Sequence, residues 1–182
     1  MRLKYVVGGV MLAGLLTSPG VRANEAVFEM SYSGDEVKVG EQVNIDISLS
    51  ADESTLGADL VLQYDESKLQ LVKLIPSEMY PNVSSVEVDT MRDGKVHFSG
   101  VSEISEPVLP DGDLLKVKFR ALSEGETEIK IIYDDESTTA TGVVPYEGVE
   151  DSMQIKVGDS VWLMIEKLNI WEKIVSWLKR AF

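Results

Sequence analysis

Gly57-Ala58-Asp59-Leu60-Val61-Leu62-Gln63-Tyr64-Asp65-Glu66-Ser67-Lys68-Leu69-Gln70-Leu71-Val72 is the stretch whose reading decides the fold. Leu60, Leu62 and Tyr64 alternate with Asp59, Val61 and Gln63, which is the period-two pattern of a strand with one dry and one wet face. Leu69 and Leu71 resume the alternation and run into Leu74-Ile75, where Pro76 stops the strand.

The same period extends outward in both directions. Upstream, Phe28, Met30 and Tyr32 alternate before Gly34-Asp35 turns the chain, and Val43, Ile45, Ile47 and Leu49 alternate with Asn44, Asp46 and Ser48. Downstream, Val83 to Met91 is a weaker strand, and Asp93-Gly94 carries the glycine that a tight hairpin turn needs. Val96 and Phe98 then point one way and His97 the other. Leu115, Val117, Phe119 and Ala121 alternate with Lys116, Lys118 and Arg120, and Glu124-Gly125 turns into the buried line Thr127, Ile129, Ile131 and Tyr133. Asp134 to Asp151 reads as polar loop with a short extended piece at Val143-Val144, and Met153, Ile155 and Val157 form the last strand. Eight or nine short strands with no helical pattern among them predict an all-β fold, a two-sheet β-sandwich over residues 24–158.

The two ends differ from this middle. Arg2 and Lys4 precede an apolar run from Tyr5 to Leu16, and Val21-Arg22-Ala23 offers a cleavage sequence, so residues 1–23 read as a secretory signal peptide. From Asp159-Ser160 the period changes to three and four. Val161, Met164, Leu168, Trp171, Val175, Leu178 and Phe182 draw one stripe down a predicted C-terminal amphipathic α-helix over 159–182, widened by Trp162 and Trp177. All three tryptophans of the chain lie here. Three uses are open for this helix: lying in a membrane interface as a peripheral contact, pairing with another copy, or packing back on the sandwich. Trp162, Trp171, Trp177, Leu178 and Phe182 are its candidate contact residues.

Composition narrows the function. The formal charge is −14, and removing residues 1–23 takes away three cations (Arg2, Lys4, Arg22) and no acid, leaving −17. Such a surface repels nucleic acid and anionic lipid. Export permits disulfides, yet the chain has no cysteine, which also excludes thiol nucleophiles and cysteine–zinc sites. His97 is the single histidine, and no G-x-S-x-G elbow or glycine-rich phosphate loop is present, so no catalytic residue is expected. Asp134-Asp135-Glu136 and Asp111-x-Asp113 crowd oxygen atoms of the kind calcium takes. Neither has EF-hand spacing; they read as solvated loop acids, and no cofactor is expected. A sugar cleft would need aromatics, for which only Tyr80, Tyr133 and Tyr146 offer themselves.

The decisive stretch, with its Tyr64-Asp65 pair and Leu69, resembles the cohesin family. So do Val39-Gly40-Glu41-Gln42-Val43, Asp93-Gly94-Lys95-Val96-His97-Phe98-Ser99-Gly100, and Gly112-Asp113-Leu114-Leu115-Lys116-Val117-Lys118-Phe119 with Gly125 ahead of Ile129. The resemblance spans about residues 27 to 157 and implies a nine-stranded jelly-roll that presents a flat sheet face to a calcium-loaded dockerin. That face would comprise the third, fifth, sixth and eighth strands. It places Asp59 where the family has a dockerin-contacting aspartate, and Gly57 where an asparagine is frequent. Read from the residues, the face holds Asp59, Val61, Gln63, His97, Lys130 and Ile132, with Val61 and Ile132 as exposed apolar anchors. The expectation is a non-catalytic module, secreted or at the cell surface, that binds a dockerin-like or other extracellular protein. The alternative is a structural envelope or adhesin domain that binds polysaccharide.

Overall fold

The computed structural model describes residues 24–34, 36–85, 94–134, 141–146 and 153–167. Residues 1–23, read as the signal peptide, lie outside the described residues, as do the later part of the weak strand predicted to Met91, the acids Asp135-Glu136 and residues 168–182.

Among the described residues twelve strands form two sheets. The first sheet contains β1 (Glu25–Ser31), β3 (Gln42–Ala51), β5 (Leu69–Pro76), β8 (Asp111–Ala121) and β11 (Gln154–Val157), in the order β11-β1-β3-β8-β5. The second contains β2 (Val37–Lys38), β12 (Val161–Glu166), β9 (Gly125–Ile131), β4 (Thr55–Tyr64), β7 (Lys95–Val101) and β6 (Asn82–Ser85), in that spatial order, while β10 (Gly142–Pro145) pairs with β4. Both sheets are mixed, because β1 runs parallel to β11 and β12 parallel to β2.

The alternation read from the sequence sets the core. Ile45, Ile47 and Leu49 of β3 and Val117 and Phe119 of β8 are buried from one sheet, facing Leu60, Leu62, Phe98 and Ile129 from the other. Burying each such side chain contributes roughly 1.5–3 kcal/mol against the unfolded chain. The rings of Tyr64 and Phe119 meet across the sandwich at 4.9 Å and 55°, a tilted arrangement that adds to the burial itself. Gly94 has φ of +67°, and a Cβ there would stand 2.1 Å from the Tyr64 carbonyl oxygen, so the turn into β7 needs glycine for conformation and for space.

Three features differ from the sequence expectation. The described residues hold twelve strands, beyond the eight or nine expected, because the two-residue β2, the short extended piece β10 and β12, which lies where a helix was expected, add to them. The helix does not begin at Asp159: Val161–Glu166 is a strand, antiparallel to β9 with Trp162 opposite Glu128 and Met164 opposite Glu126. Val161, Leu163 and Ile165 are buried and Trp162 and Met164 exposed, so the second sheet continues to Glu166 and the sandwich does not end at 158. The physical reason is the open edge of β9. Strand pairing there satisfies backbone groups and buries three β-branched or leucine side chains together, which outweighs the local helical spacing. Finally, Tyr133 is 39% exposed just past β9 and is not part of the buried line.

Candidate functional site

The outer face of the second sheet is built by register. Across β7, β4 and β9, Lys95, Gln63 and Lys130 stand in one row. In the next row His97 is opposite Val61, and in the one after Ser99 is opposite Asp59. Side chains two apart on a strand share a face, so Asp59 and Gln63 of β4, Lys95, His97 and Ser99 of β7, and Lys130 of β9 all project away from the core. Asp59 and His97 meet diagonally, His97 Nε2 lying 3.6 Å from Asp59 Oδ1. Lys95 and Ser99 were not singled out from the sequence, although the alternation Lys95-Val96-His97-Phe98-Ser99 puts both on the face of His97.

Val61 belongs to this face by register but is only 5% exposed, against the expectation of an exposed anchor. The reason lies where β9 leaves β4 and β10 joins it. Ile132 donates its amide to the Val61 carbonyl at 2.8 Å, and Thr141 donates its amide to the Ile132 carbonyl at 3.1 Å. The Val61 amide donates to Thr141 Oγ1 at 3.0 Å. This junction covers Val61 and leaves Ile132 half-buried. Neither is a free apolar knob.

Gly57, where the resemblance leads one to look for asparagine, has a packing reason. A Cβ at residue 57 would stand 2.8 Å from the Gly100 carbonyl oxygen of β7, so a side chain would push the two strands apart.

Beyond Lys130 the face continues onto β9 and β12. Gln63, Asp65, Glu126, Glu128, Lys130 and Trp162 border an open groove of about 390 Å³, whose floor includes Tyr64 and Thr127. Burial, followed by the charge of Glu66, pushes the Tyr64 phenol above its ordinary range. Hydrogen bonds from the Ser67 hydroxyl and amide hold the Asp65 carboxyl below the usual carboxylate range. Trp162 is 59% exposed; Trp171, Trp177, Leu178 and Phe182 lie outside the described residues.

Tyr80, one of three aromatics considered for a sugar cleft, is buried and shares a 2.6 Å hydrogen bond with Thr55 Oγ1. Burial raises its pKa, an effect the Thr55 bond partly offsets. Among the described residues no group of three or more His, Asp or Glu is placed to hold a metal ion, and no helix is long and apolar enough to cross a membrane.

Comparison with known proteins agrees with this architecture. The cohesin domain family model matches residues 28–157. A cohesin from Clostridium thermocellum, solved as a type I cohesin–dockerin complex, superposes with a TM-score of 0.61 at 14% identity, covering 84% of this chain and 99% of that one. A type II cohesin from the cellulosome of Acetivibrio cellulolyticus gives 0.57 at 19% identity, covering 78% and 98%. The cohesin module of a Clostridium perfringens family 33 glycoside hydrolase gives 0.56 at 19%, covering 80% and 98%. No curated protein matches the sequence. The family match ends at residue 157, before β12, and it spans most of the sandwich: the chain belongs to the cohesin family, whose domains are non-catalytic modules of protein–protein interaction.

Proposed function

We propose that this chain is an exported cohesin module that binds a dockerin-like or other extracellular protein through the outer face of β9, β4, β7 and β6. One observation carries the reading: the register sets Asp59, Gln63, Lys95, His97 and Lys130 side by side on one solvent-facing sheet. Polar and charged side chains on a flat, rigid platform suit recognition of another protein surface, because the strands hold them in place at little entropic cost. The solved cohesin from Clostridium thermocellum that shares this fold is itself in a complex with a dockerin. Residues 1–23, with their charged start, apolar run and cleavage sequence, support export and a place in the secreted or cell-surface fraction. Cohesin domains need no cofactor, and none is invoked.

The test is capture. The chain from Asn24, immobilised, is presented with calcium-loaded dockerins and with the extracellular fraction of its host. Changing Asp59→Ala and His97→Ala together is expected to weaken capture about ten-fold or more, the loss typical of contact residues at an interface centre. Capture that survives the double change with the fold intact would place recognition elsewhere.

A further inference from the structure

We infer that residues 168–182 fold back onto the outer face of their own sheet and cover Trp162 and Met164. These two side chains are 59% and 57% exposed, and they stand together on the outward face of β12, opposite Glu128 and Glu126 of β9. Large apolar side chains in pairs on a sheet face are a surface that calls for an occupant. The carboxylates beside them select its charge.

The chemistry of 168–182 complements that strip. Leu168, Trp171, Val175, Leu178 and Phe182 supply an apolar stripe, while Lys173, Lys179 and Arg180 against Glu172 give a formal charge of +2. Glu126, Glu128 and Asp65 border the groove that Trp162 lines. As a helix, the fifteen residues 168–182 would run about 22 Å, close to the roughly 20 Å of the six-residue strand β12, enough to cover Trp162 and Met164 without crossing to β4.

Continuity chooses the occupant. The segment starts one residue after Lys167, which itself follows the end of β12, so it is tethered beside its docking strip. Docking within one molecule avoids the translational and rotational cost that a second copy must meet, at an effective concentration in the millimolar range. Anionic lipid is disfavoured, because the same glutamates would repel it.

No partner protein enters the test. A carbodiimide joins lysine to carboxylate only when the two are in contact. Equal amounts of ¹⁴N and ¹⁵N chain beginning at Asn24, which carries every described strand, are mixed and treated with it. The expected result is Lys173 or Lys179 linked to Glu126 or Glu128 within one isotopic chain. Replacing Trp162→Ser and Met164→Ser, which leaves every reacting group in place, should lower the yield about ten-fold while the sandwich still unfolds cooperatively. Links between unlike isotopes would overturn the inference in favour of a second copy. Absence of the links overturns it outright, and their loss on neutral phosphatidylcholine vesicles, with the chain co-sedimenting, overturns it in favour of lipid.

Discussion

His97 Nε2 lies 3.6 Å from Asp59 Oδ1, a diagonal contact between neighbouring strands in which the two side chains keep 32% and 44% of their surface in solvent. A contact so exposed adds little to folding, since water screens it and two side chains must be held still. A double-mutant cycle with Asp59→Ala and His97→Ala should return a coupling below about 1 kcal/mol in urea unfolding. The two residues are then free to be judged by binding alone. Coupling of several kcal/mol would mean that the pair is a structural strut.

Val61 and Thr141 should behave in the opposite way. Val61→Ala deletes methyl groups from a site 5% exposed and is expected to cost about 1–2.5 kcal/mol. Thr141→Val takes away the hydroxyl that accepts the Val61 amide, leaving a buried donor unpaired at a cost of about 1–3 kcal/mol. Unfolding midpoints unchanged in both variants would show that the β9–β10 junction does not cover this residue.

β12 makes a prediction that separates strand from helix. Leu163 is 2% exposed, so Leu163→Ala should cost about 2–4 kcal/mol, whereas Met164→Ala on the outward side should cost less than about 1 kcal/mol in global unfolding. A helical stripe through Val161, Met164 and Leu168 would reverse that order. Chemical denaturation of the two variants decides between them.

Thr127 Oγ1 is buried in β9 with no hydrogen-bond partner among the described residues. Thr127→Val replaces an unsatisfied hydroxyl with a methyl of similar size, and a gain of about 0.5–1.5 kcal/mol is expected. A loss of stability on that change would reveal a partner for the hydroxyl in solution.

Asp65 ties the turn between β4 and β5 to pH. Its carboxyl accepts from the Ser67 amide at 2.8 Å and hydroxyl at 2.6 Å, and its folded pKa is lowered. A lowered folded value means the contribution is present above the ordinary carboxylate pKa, about 3.9, and is lost as pH falls through the folded value. Ser67→Ala removes the larger cause, so the Asp65 titration followed by carboxyl NMR should move to higher pH. An unmoved titration would contradict the assignment of that cause.

Much of the fold was legible because one period governs it. Phe28, Ile45, Leu62, Phe98, Val117 and Ile129 announce their faces by alternation alone, and all are buried. The outward direction of Asp59, Gln63, His97 and Lys130 followed from the same rule, since a side chain next to an inward one must point out. Sequence alone also set the acidity, the absence of cysteine chemistry and the glycine turn at Asp93-Gly94, whereas the need for glycine at residue 57 came from the close approach of β7.

Other decisions depended on residues far apart in the chain. Val61 looked exposed because alternation tells direction and not cover, and its cover comes from Ile132 and Thr141, eighty residues away for the latter. The 161–166 stretch carries both an i, i+2 and an i, i+3 apolar pattern, and local spacing has no means to choose between them. The unpaired edge of β9 made the choice, and with it brought Trp162 and Met164 onto the sheet. Periodicity is a property of neighbours along the chain, so the sequence determined which side each residue faces. Strand neighbours are assembled by the whole fold, and only the tertiary structure decided what lies over each face.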